Sequence, residues 1–229
     1  MTTVLVTGAN RGIGLEFARQ YAKDGAKVIA CCREPAHADA LKKLAQSNDN
    51  IDVHGLDVSD FAAVKALAKD LAREPIDILI NNAGVYGPKR QSADDMDFDG
   101  WAHTLAVNTM GPLAVAQAFR PNLKRGHDKK LVSITSGMAS TAETEGGYLA
   151  YRASKAALNN VMKSLSVDWR GDGIICVVLD PGWVKTDMGG KNAPTSPDES
   201  VSGMRDVIAK LKPSDSGKFL NRRGEVEPW

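Results

Sequence analysis

Short apolar runs alternate along the chain with segments in which apolar residues recur every three or four positions. The runs Thr3–Thr7 and Lys27–Cys32 are apolar almost throughout, which is typical of strands buried on both faces of a sheet. Further strands are predicted at 51–56, 77–80, 130–135, 174–179 and 218–220, the last at a sheet edge. The spacing predicts helices at 15–24, 36–46, 60–73, 97–124, 151–170 and 196–211.

Regular alternation of strand and helix predicts the fold class. It is typical of an α/β protein with a doubly wound parallel sheet and helices on both faces. Seven strands and no linker, repeat or low-complexity tract predict one Rossmann-fold domain spanning residues 1–229. Such sheets bind ligands beyond the carboxyl ends of their strands, so polar motifs at those ends are the first candidates for a site.

Composition narrows the range of partners. A net charge of +1 and a pI near 7.7 do not favour binding to nucleic acid or to a membrane surface. No apolar run approaches the roughly 20 residues of a membrane span, and no signal-like leader precedes the first strand, so a cytoplasmic location is expected. Cys31, Cys32 and Cys176 fall in strand-like runs, which predicts buried free thiols and no metal or disulfide site.

The first strand runs directly into a glycine-rich turn. Strand, glycine turn, helix and strand in this order form a mononucleotide-binding unit, in which backbone N–H groups meet a pyrophosphate. The alternative is a loop that merely needs positive φ angles. The candidate cofactor-binding residues of the turn are Gly8, Asn10, Arg11, Gly12, Ile13 and Gly14.

The end of the second strand bears on cofactor choice. Cys32 stands where a protein that binds NAD usually has an acidic residue, and Arg33 follows it. A guanidinium suits a 2′-phosphate, and Arg11 is placed to reach the same group. The pattern favours NADP(H) over NAD(H), with two solvated surface arginines as the alternative.

Later strand ends carry further candidates. Asp57 and Val58 are placed to meet an adenine, although Asp57 is equally suited to capping the next turn. Small and amide residues after the fourth strand would let a ribose approach the backbone, or form an ordinary turn. A stiff turn after the sixth strand would hold a nicotinamide. The candidates after the fourth strand are Asn82, Ala83 and Gly84. Those after the sixth strand are Pro181, Gly182, Val184 and Thr186.

Four residues are candidates for catalysis. Tyr151 and Lys155 lie four apart on one predicted helix face, so the ammonium is expected to lower the pKa of the phenol; the alternative is a solvated helix face. Ser136 follows the fifth strand. Asn108 is unusual because asparagine is unfavourable inside a helix, although such a residue is more often simply exposed or bonded to the backbone.

These motifs, in this order and across essentially the whole chain, resemble the short-chain dehydrogenase/reductase family. The segments Gly146–Asn159 and Pro181–Gly190 are similar to its small carbonyl-reductase branch, which includes C-factor signalling proteins and sniffer-type carbonyl reductases. The resemblance implies that Tyr151 is the proton donor, that Lys155 lowers its pKa and holds the nicotinamide ribose, and that Ser136 orients the carbonyl. It also implies that Asn108 positions a water molecule.

The resemblance implies an NADPH-dependent oxidoreductase that reduces a small-molecule carbonyl, without a metal. A dinucleotide-binding signalling protein is the alternative. The interval from Ser136 to Tyr151 is longer than the family's usual one, which leaves the substrate wall open to change; Tyr148 is a rival proton donor. The substrate wall is expected at 85–97, 137–149 and 183–197, with Met138, Tyr148, Trp183 and Met188 as lining residues or as local packing. The resemblance also implies a homodimer or homotetramer in which the helices at 97–124 and 151–170 form a subunit interface.

Overall fold

The computed structural model describes all residues from 1 to 229. The strands are β1 Thr3–Thr7, β2 Lys27–Cys32, β3 Ile51–Gly55, β4 Ile78–Asn81, β5 Lys130–Ile134, β6 Ile175–Asp180 and β7 Phe219–Asn221. The helices are α1 Gly12–Lys23, α2 Asp39–Gln46, α3 Phe61–Asp70, α4 Phe98–Leu105, α5 Gly111–Arg125, α6 Leu149–Asp168 and α7 Pro197–Lys210.

All seven strands form one parallel sheet in the order β3-β2-β1-β4-β5-β6-β7. Val4 of β1 is paired with Val28 on one side and with Ile78 on the other. The strand order therefore reverses between β1 and β4, and a crevice opens there at the carboxyl ends of the strands. The predicted doubly wound Rossmann sheet is confirmed.

Alternate strand residues pack against different helix layers. Val4 and Val6 face one layer, which α1, α2 and α7 cover with residues such as Phe17. Leu5 faces the other layer, covered by α3, α5 and α6 with residues such as Phe119. Because both faces are buried, the strands need apolar residues at nearly every position, as the sequence shows.

The predicted helix over 97–124 is the main correction to the sequence-based elements. It is broken by a π-helical segment, Ala106–Met110, which separates α4 from α5 and carries Asn108. π-helical turns are frequent at functional sites because they place one side chain out of the regular helical register. The other predicted elements are present, with ends shifted by a few residues.

Local sequence signals explain how two of the helices begin. Asp60 caps α3 by accepting hydrogen bonds from the N–H groups of Ala62 and Ala63. Ser196 caps α7 through the N–H of Glu199.

The three cysteines are buried free thiols, as predicted. None of the helices combines the length and the apolar composition needed to cross a membrane.

Candidate active site

The glycine turn between β1 and α1 forms a cradle of backbone. Gly8 and Gly12 have φ angles of 67° and 55°, which residues with a side chain rarely adopt. A Cβ atom on Gly14 would overlap the Gly8 carbonyl oxygen and the Asn82 amide nitrogen. No side chain caps the first turn of α1, and no acidic residue lies in it. Its N–H groups are thus available to an anion, and the turn fits a pyrophosphate.

Asn82 ties the end of β4 to this turn. Its side-chain amide donates to the carbonyl oxygens of Thr7 and Gly8 at 2.9 and 3.2 Å. The backbone N–H groups of Asn82 and Ala83 donate to the Thr7 hydroxyl at 3.0 and 3.1 Å. Both amide hydrogens of Asn82 are used inside the protein, so its side chain shapes the cradle and keeps only an oxygen for a ligand.

The two arginines predicted near the adenosine end differ in their partners. Arg11 forms an ion pair with Asp187 at 2.6 Å, between the glycine turn and the loop after β6. Arg33 is exposed at the end of β2 and has no ion-pair partner. Its charge acts on Asp57, which places it near that side chain. Arg33 is therefore the freer cation, whereas Arg11 is already paired with Asp187.

Asp57 adopts the capping role that the sequence left open. One of its carboxylate oxygens accepts from the N–H and hydroxyl of Ser59 at 2.9 and 2.6 Å. Burial acts to raise the pKa of Asp57, but the hydrogen bonds from Ser59 and the charges of Arg33 and His103 together outweigh it, so the pKa is lowered. The second oxygen has no partner of this kind. Val58 is buried against Gly111, so only its backbone is placed to meet a ligand.

The loop after β6 closes over the glycine turn. Thr186 comes within van der Waals distance of the Cβ position of Gly12, at 3.3 Å. Val184 is buried and Pro181 is anchored by the Ser200 hydroxyl at 2.7 Å, while Gly182 has a φ of 75°. The predicted nicotinamide turn is thus rigid at its start.

Tyr151 and Lys155 lie in the first turns of α6, and both are almost fully buried. The Lys155 ammonium donates to the carbonyl oxygen of Ile134 at 2.8 Å and lies 6.0 Å from the centre of the Tyr151 ring. Gly84 lies close by, since its Cβ position would be 3.6 Å from the Lys155 nitrogen. The ends of β4 and β5 and the start of α6 therefore meet at this pair.

The pKa of Tyr151 corrects one expectation. The sequence predicts a value lowered by Lys155, but burial raises it to about 12, helped by the charges of Asp180 and Tyr86 and opposed by a hydrogen bond with Ser136. Burial also lowers the pKa of Lys155 to about 8. Desolvation is the largest cause of both shifts.

Asn108 is not exposed, and its side chain forms three hydrogen bonds. Its amide oxygen accepts from the N–H of Val85 at 2.8 Å, and its amide nitrogen donates to the Val85 carbonyl at 2.8 Å and to the Ser154 hydroxyl at 2.9 Å. Both amide hydrogens are thus used. The residue fastens the segment after β4 to α6, next to Lys155.

The arrangement has counterparts among known proteins. The family model described as short chain dehydrogenase matches residues 2–197. The chain belongs to the short-chain dehydrogenase family. The "C-signal" of Myxococcus xanthus is 44% identical over 167 residues, which cover 72% of this short-chain dehydrogenase and 100% of that relative.

Two solved structures superpose closely on this short-chain dehydrogenase. The NADPH-bound carbonyl reductase from chicken fatty liver has a TM-score of 0.93 at 38% identity, covering 100% of this chain and 99% of its own. The carbonyl reductase Sniffer of D. melanogaster has a TM-score of 0.93 at 33% identity, covering 100% of both chains. The predicted likeness to this branch is confirmed.

Sequence reasoning missed three residues around the active site of this short-chain dehydrogenase. Tyr86 packs on Tyr151, with ring centres 4.8 Å apart. Gln91 is buried and accepts from the Tyr151 N–H at 3.1 Å while it donates to the Tyr86 carbonyl at 3.0 Å. Asp180 ends β6, and burial raises its pKa. None of the three was singled out from the sequence, although Tyr86 and Gln91 fall within the predicted wall segment 85–97 and Asp180 directly precedes the motif at Pro181.

The predicted lining residues lie around this site in differing degrees of exposure. Tyr148, Trp183 and Met188 are 49%, 58% and 44% exposed, and Met138 is half-buried. Trp183 donates from its indole to the Gly189 carbonyl at 2.7 Å, which fixes its ring within the loop. Tyr148, Trp183 and Met188 are therefore exposed apolar side chains and not packed core, and their role in a substrate wall stays a prediction.

Proposed function

We propose that the protein is an NADPH-dependent carbonyl reductase, with Tyr151 as the general acid in reduction and the general base in reverse. The observation that carries the proposal is the meeting of Tyr151, Lys155 and Ser136 at the end of β5, beside an uncapped helix that suits a pyrophosphate. The NADPH bound to the similar chicken carbonyl reductase supports the choice of cofactor.

Several backbone and side-chain groups are placed to hold the dinucleotide. The N–H groups at Gly12–Gly14 would take the pyrophosphate, Asp57 and Val58 the adenine, and Lys155 the nicotinamide ribose. Gly84, Gly182 and Thr186 border the nicotinamide end. When bound, the nicotinamide supplies the hydride that reaches the carbonyl carbon.

Tyr151 supplies the proton. With a pKa of about 12 the phenol is protonated at neutral pH, and it donates its proton to the carbonyl oxygen as negative charge develops there. Ser136 would donate a second hydrogen bond to the same oxygen. Lys155, with a pKa near 8, is suited to returning a proton to Tyr151.

Arg33 is proposed to select NADP(H) by binding the 2′-phosphate. It is exposed and free of ion pairs at the end of β2, where Cys32 leaves no carboxylate to bind the ribose hydroxyls. Arg33→Asp should weaken NADPH binding far more than NADH binding, as measured by titration of each cofactor. Equal losses for the two cofactors would refute the assignment.

The activity itself is tested with purified protein, NADPH and a panel of aldehydes, diketones and quinones. We expect carbonyl-dependent oxidation of NADPH, reduced about 10²- to 10⁴-fold in Tyr151→Phe, because general acid catalysis contributes factors of this size. Tyr148→Phe is the matched control for the rival proton donor and should retain most activity toward carbonyl compounds that carry no anionic group. A panel without turnover in either direction would contradict the proposal.

A signalling protein is the second candidate, favoured by the 44% identity to the C-signal. It requires dinucleotide binding without a need for catalysis. A cellular phenotype that survives Tyr151→Phe but not loss of cofactor binding would favour it. A phenotype that follows Tyr151 would favour the reductase.

We also propose that the chain assembles as a homodimer or homotetramer through α4, α5 and α6. Phe98, Met110 and Val167 of this region are 71%, 49% and 57% exposed, which is unusual for large apolar side chains on a helical surface. Light scattering of the purified protein tests this, and a monomer at micromolar concentration would contradict it.

A further inference from the structure

Arg152 directly follows the proposed proton donor, Tyr151, but has no role in the proposed reductase mechanism. It is half-buried at the start of α6. Its guanidinium reaches the carbonyl oxygen of Met138, in the wall after β5, through one long hydrogen bond of 3.4 Å. Its Nε–H is buried and has no partner. The side chain therefore lies against the substrate wall with unused hydrogen-bond donors.

No carboxylate neutralises Arg152. Two other arginines with largely shielded side chains behave differently, because Arg205 is paired with Asp24 and Arg222 with Glu199. A shielded guanidinium is normally paired because removing it from water is costly. The lack of a counter-ion at Arg152 points to an anion supplied by a ligand.

Two tyrosines complete the surroundings of this guanidinium. Tyr86 lies between Tyr148 and Tyr151, with ring centres 5.1 and 4.8 Å away. Burial raises the pKa of Tyr86, and the positive charge of Arg152 acts in the opposite direction, which places that charge near the Tyr86 hydroxyl. Tyr148 has a φ of 49°, a conformation that residues other than glycine rarely adopt, and its ring packs on that of Tyr86.

We propose that Arg152, with the hydroxyls of Tyr86 and Tyr148, forms a subsite for an anionic group carried by the carbonyl substrate. The inference rests on the proposed reductase function and names its substrate class: carbonyl compounds that bear a carboxylate within reach of the carbonyl. A guanidinium offers a planar pair of donors that matches a carboxylate, and the packed tyrosine rings offer an apolar surface beside it.

The test compares acids with their esters. The probes are the three positional isomers of carboxybenzaldehyde and the methyl ester of each, which share the aldehyde and ring but not the charge, and which place the carboxylate at three distances. The enzyme with NADPH is expected to turn over at least one acid with a kcat/KM about tenfold or more above that of its ester, through a lower KM.

Arg152→Met should remove that preference, lowering kcat/KM for the acid about tenfold or more and leaving the ester within about twofold. Arg152→Lys keeps the charge and should restore part of the preference. Arg73→Met is the control, because Arg73 is exposed and forms no ion pair, and this change should alter kcat/KM for neither substrate.

Three results would overturn the subsite. They are an enzyme that does not prefer any acid over its ester, a preference that survives Arg152→Met, and an equal loss for acid and ester in that variant. The last result would mean that Arg152 only supports the fold. Turnover of the esters alone would leave the reductase function standing and remove the subsite, whereas no turnover of any probe or of the wider panel would remove both.

Discussion

Replacing Lys155 by methionine should abolish catalysis and stabilise the cofactor-free fold. The ammonium is 5% exposed, and burial lowers its pKa from 10.5 to about 8. That difference corresponds to about 3 kcal/mol of unfavourable free energy in the charged, folded state at pH 7. The variant also loses the hydrogen bond to the Ile134 carbonyl, which costs about 1 kcal/mol of stability. Its free energy of unfolding should therefore be about 2 kcal/mol higher than that of the wild type.

The stability difference between Lys155→Met and the wild type should depend on pH. The pKa of Lys155 is lower in the folded state than in the unfolded state, so between about pH 8 and 10.5 the unfolded chain binds more protons. The free energy of unfolding of the wild type therefore rises with pH across this window, relative to Lys155→Met. The advantage of the variant should be full at pH 7 and almost gone at pH 10.

Urea unfolding of the cofactor-free proteins at pH 7 and at pH 10 measures both values. Lys65→Met is the matched control, because Lys65 is exposed on α3, and it should change stability by less than about 0.5 kcal/mol at either pH. A variant at Lys155 no more stable than the wild type at pH 7 would refute the reasoning. So would a difference that does not vary with pH.

Three further changes test the site. Gly14→Ala should abolish dinucleotide binding in a titration, because the new methyl group would overlap the Gly8 carbonyl and force the turn open; Gly171→Ala, whose methyl group would meet open space, should bind normally. Asn108→Ala should lower the free energy of unfolding by about 2–3 kcal/mol, since three hydrogen bonds are lost, and unchanged urea unfolding would contradict the fastening role. Asp187→Asn should strengthen NADPH binding by no more than about fivefold, because the pair that restrains Arg11 is exposed, and weaker binding would show that Asp187 helps the cofactor instead.

The sheet was predictable because its strands carry their signal locally. Strands buried on both faces need continuous apolar runs, and β1 and β2 show such runs from end to end. The glycine turn was predictable for a similar reason, since positive φ angles at Gly8 and Gly12 require residues that stand out in the sequence.

The break at Ala106–Met110 could not be predicted in the same way. Its apolar spacing is that of an ordinary helix, and the π-helical turn is held by contacts of Asn108 with Val85 and Ser154, which are distant in the chain. Only the unfavourable position of asparagine within a helix hinted at it.

Side-chain partners and pKa values could not be predicted from the sequence. The pairing of Arg11 with Asp187 joins residues far apart in the chain. The spacing of Tyr151 and Lys155 correctly placed them together, but it carried no information on burial, which decides the direction of both pKa values. Tyr86 and Gln91 lie in the predicted wall segment 85–97 but were not singled out, because a loop tyrosine and a loop glutamine have no distinguishing pattern.

The central claim is that Tyr151 protonates a carbonyl while hydride reaches its carbon. Incubation with NADPH deuterated at the transferable position of the nicotinamide, followed by mass spectrometry of the product, tests it most directly. We expect an alcohol with one deuterium on the former carbonyl carbon, formed by the wild type and by Tyr148→Phe but at least about a hundredfold more slowly by Tyr151→Phe. An alcohol without deuterium, or equal rates with and without the Tyr151 hydroxyl, would contradict it.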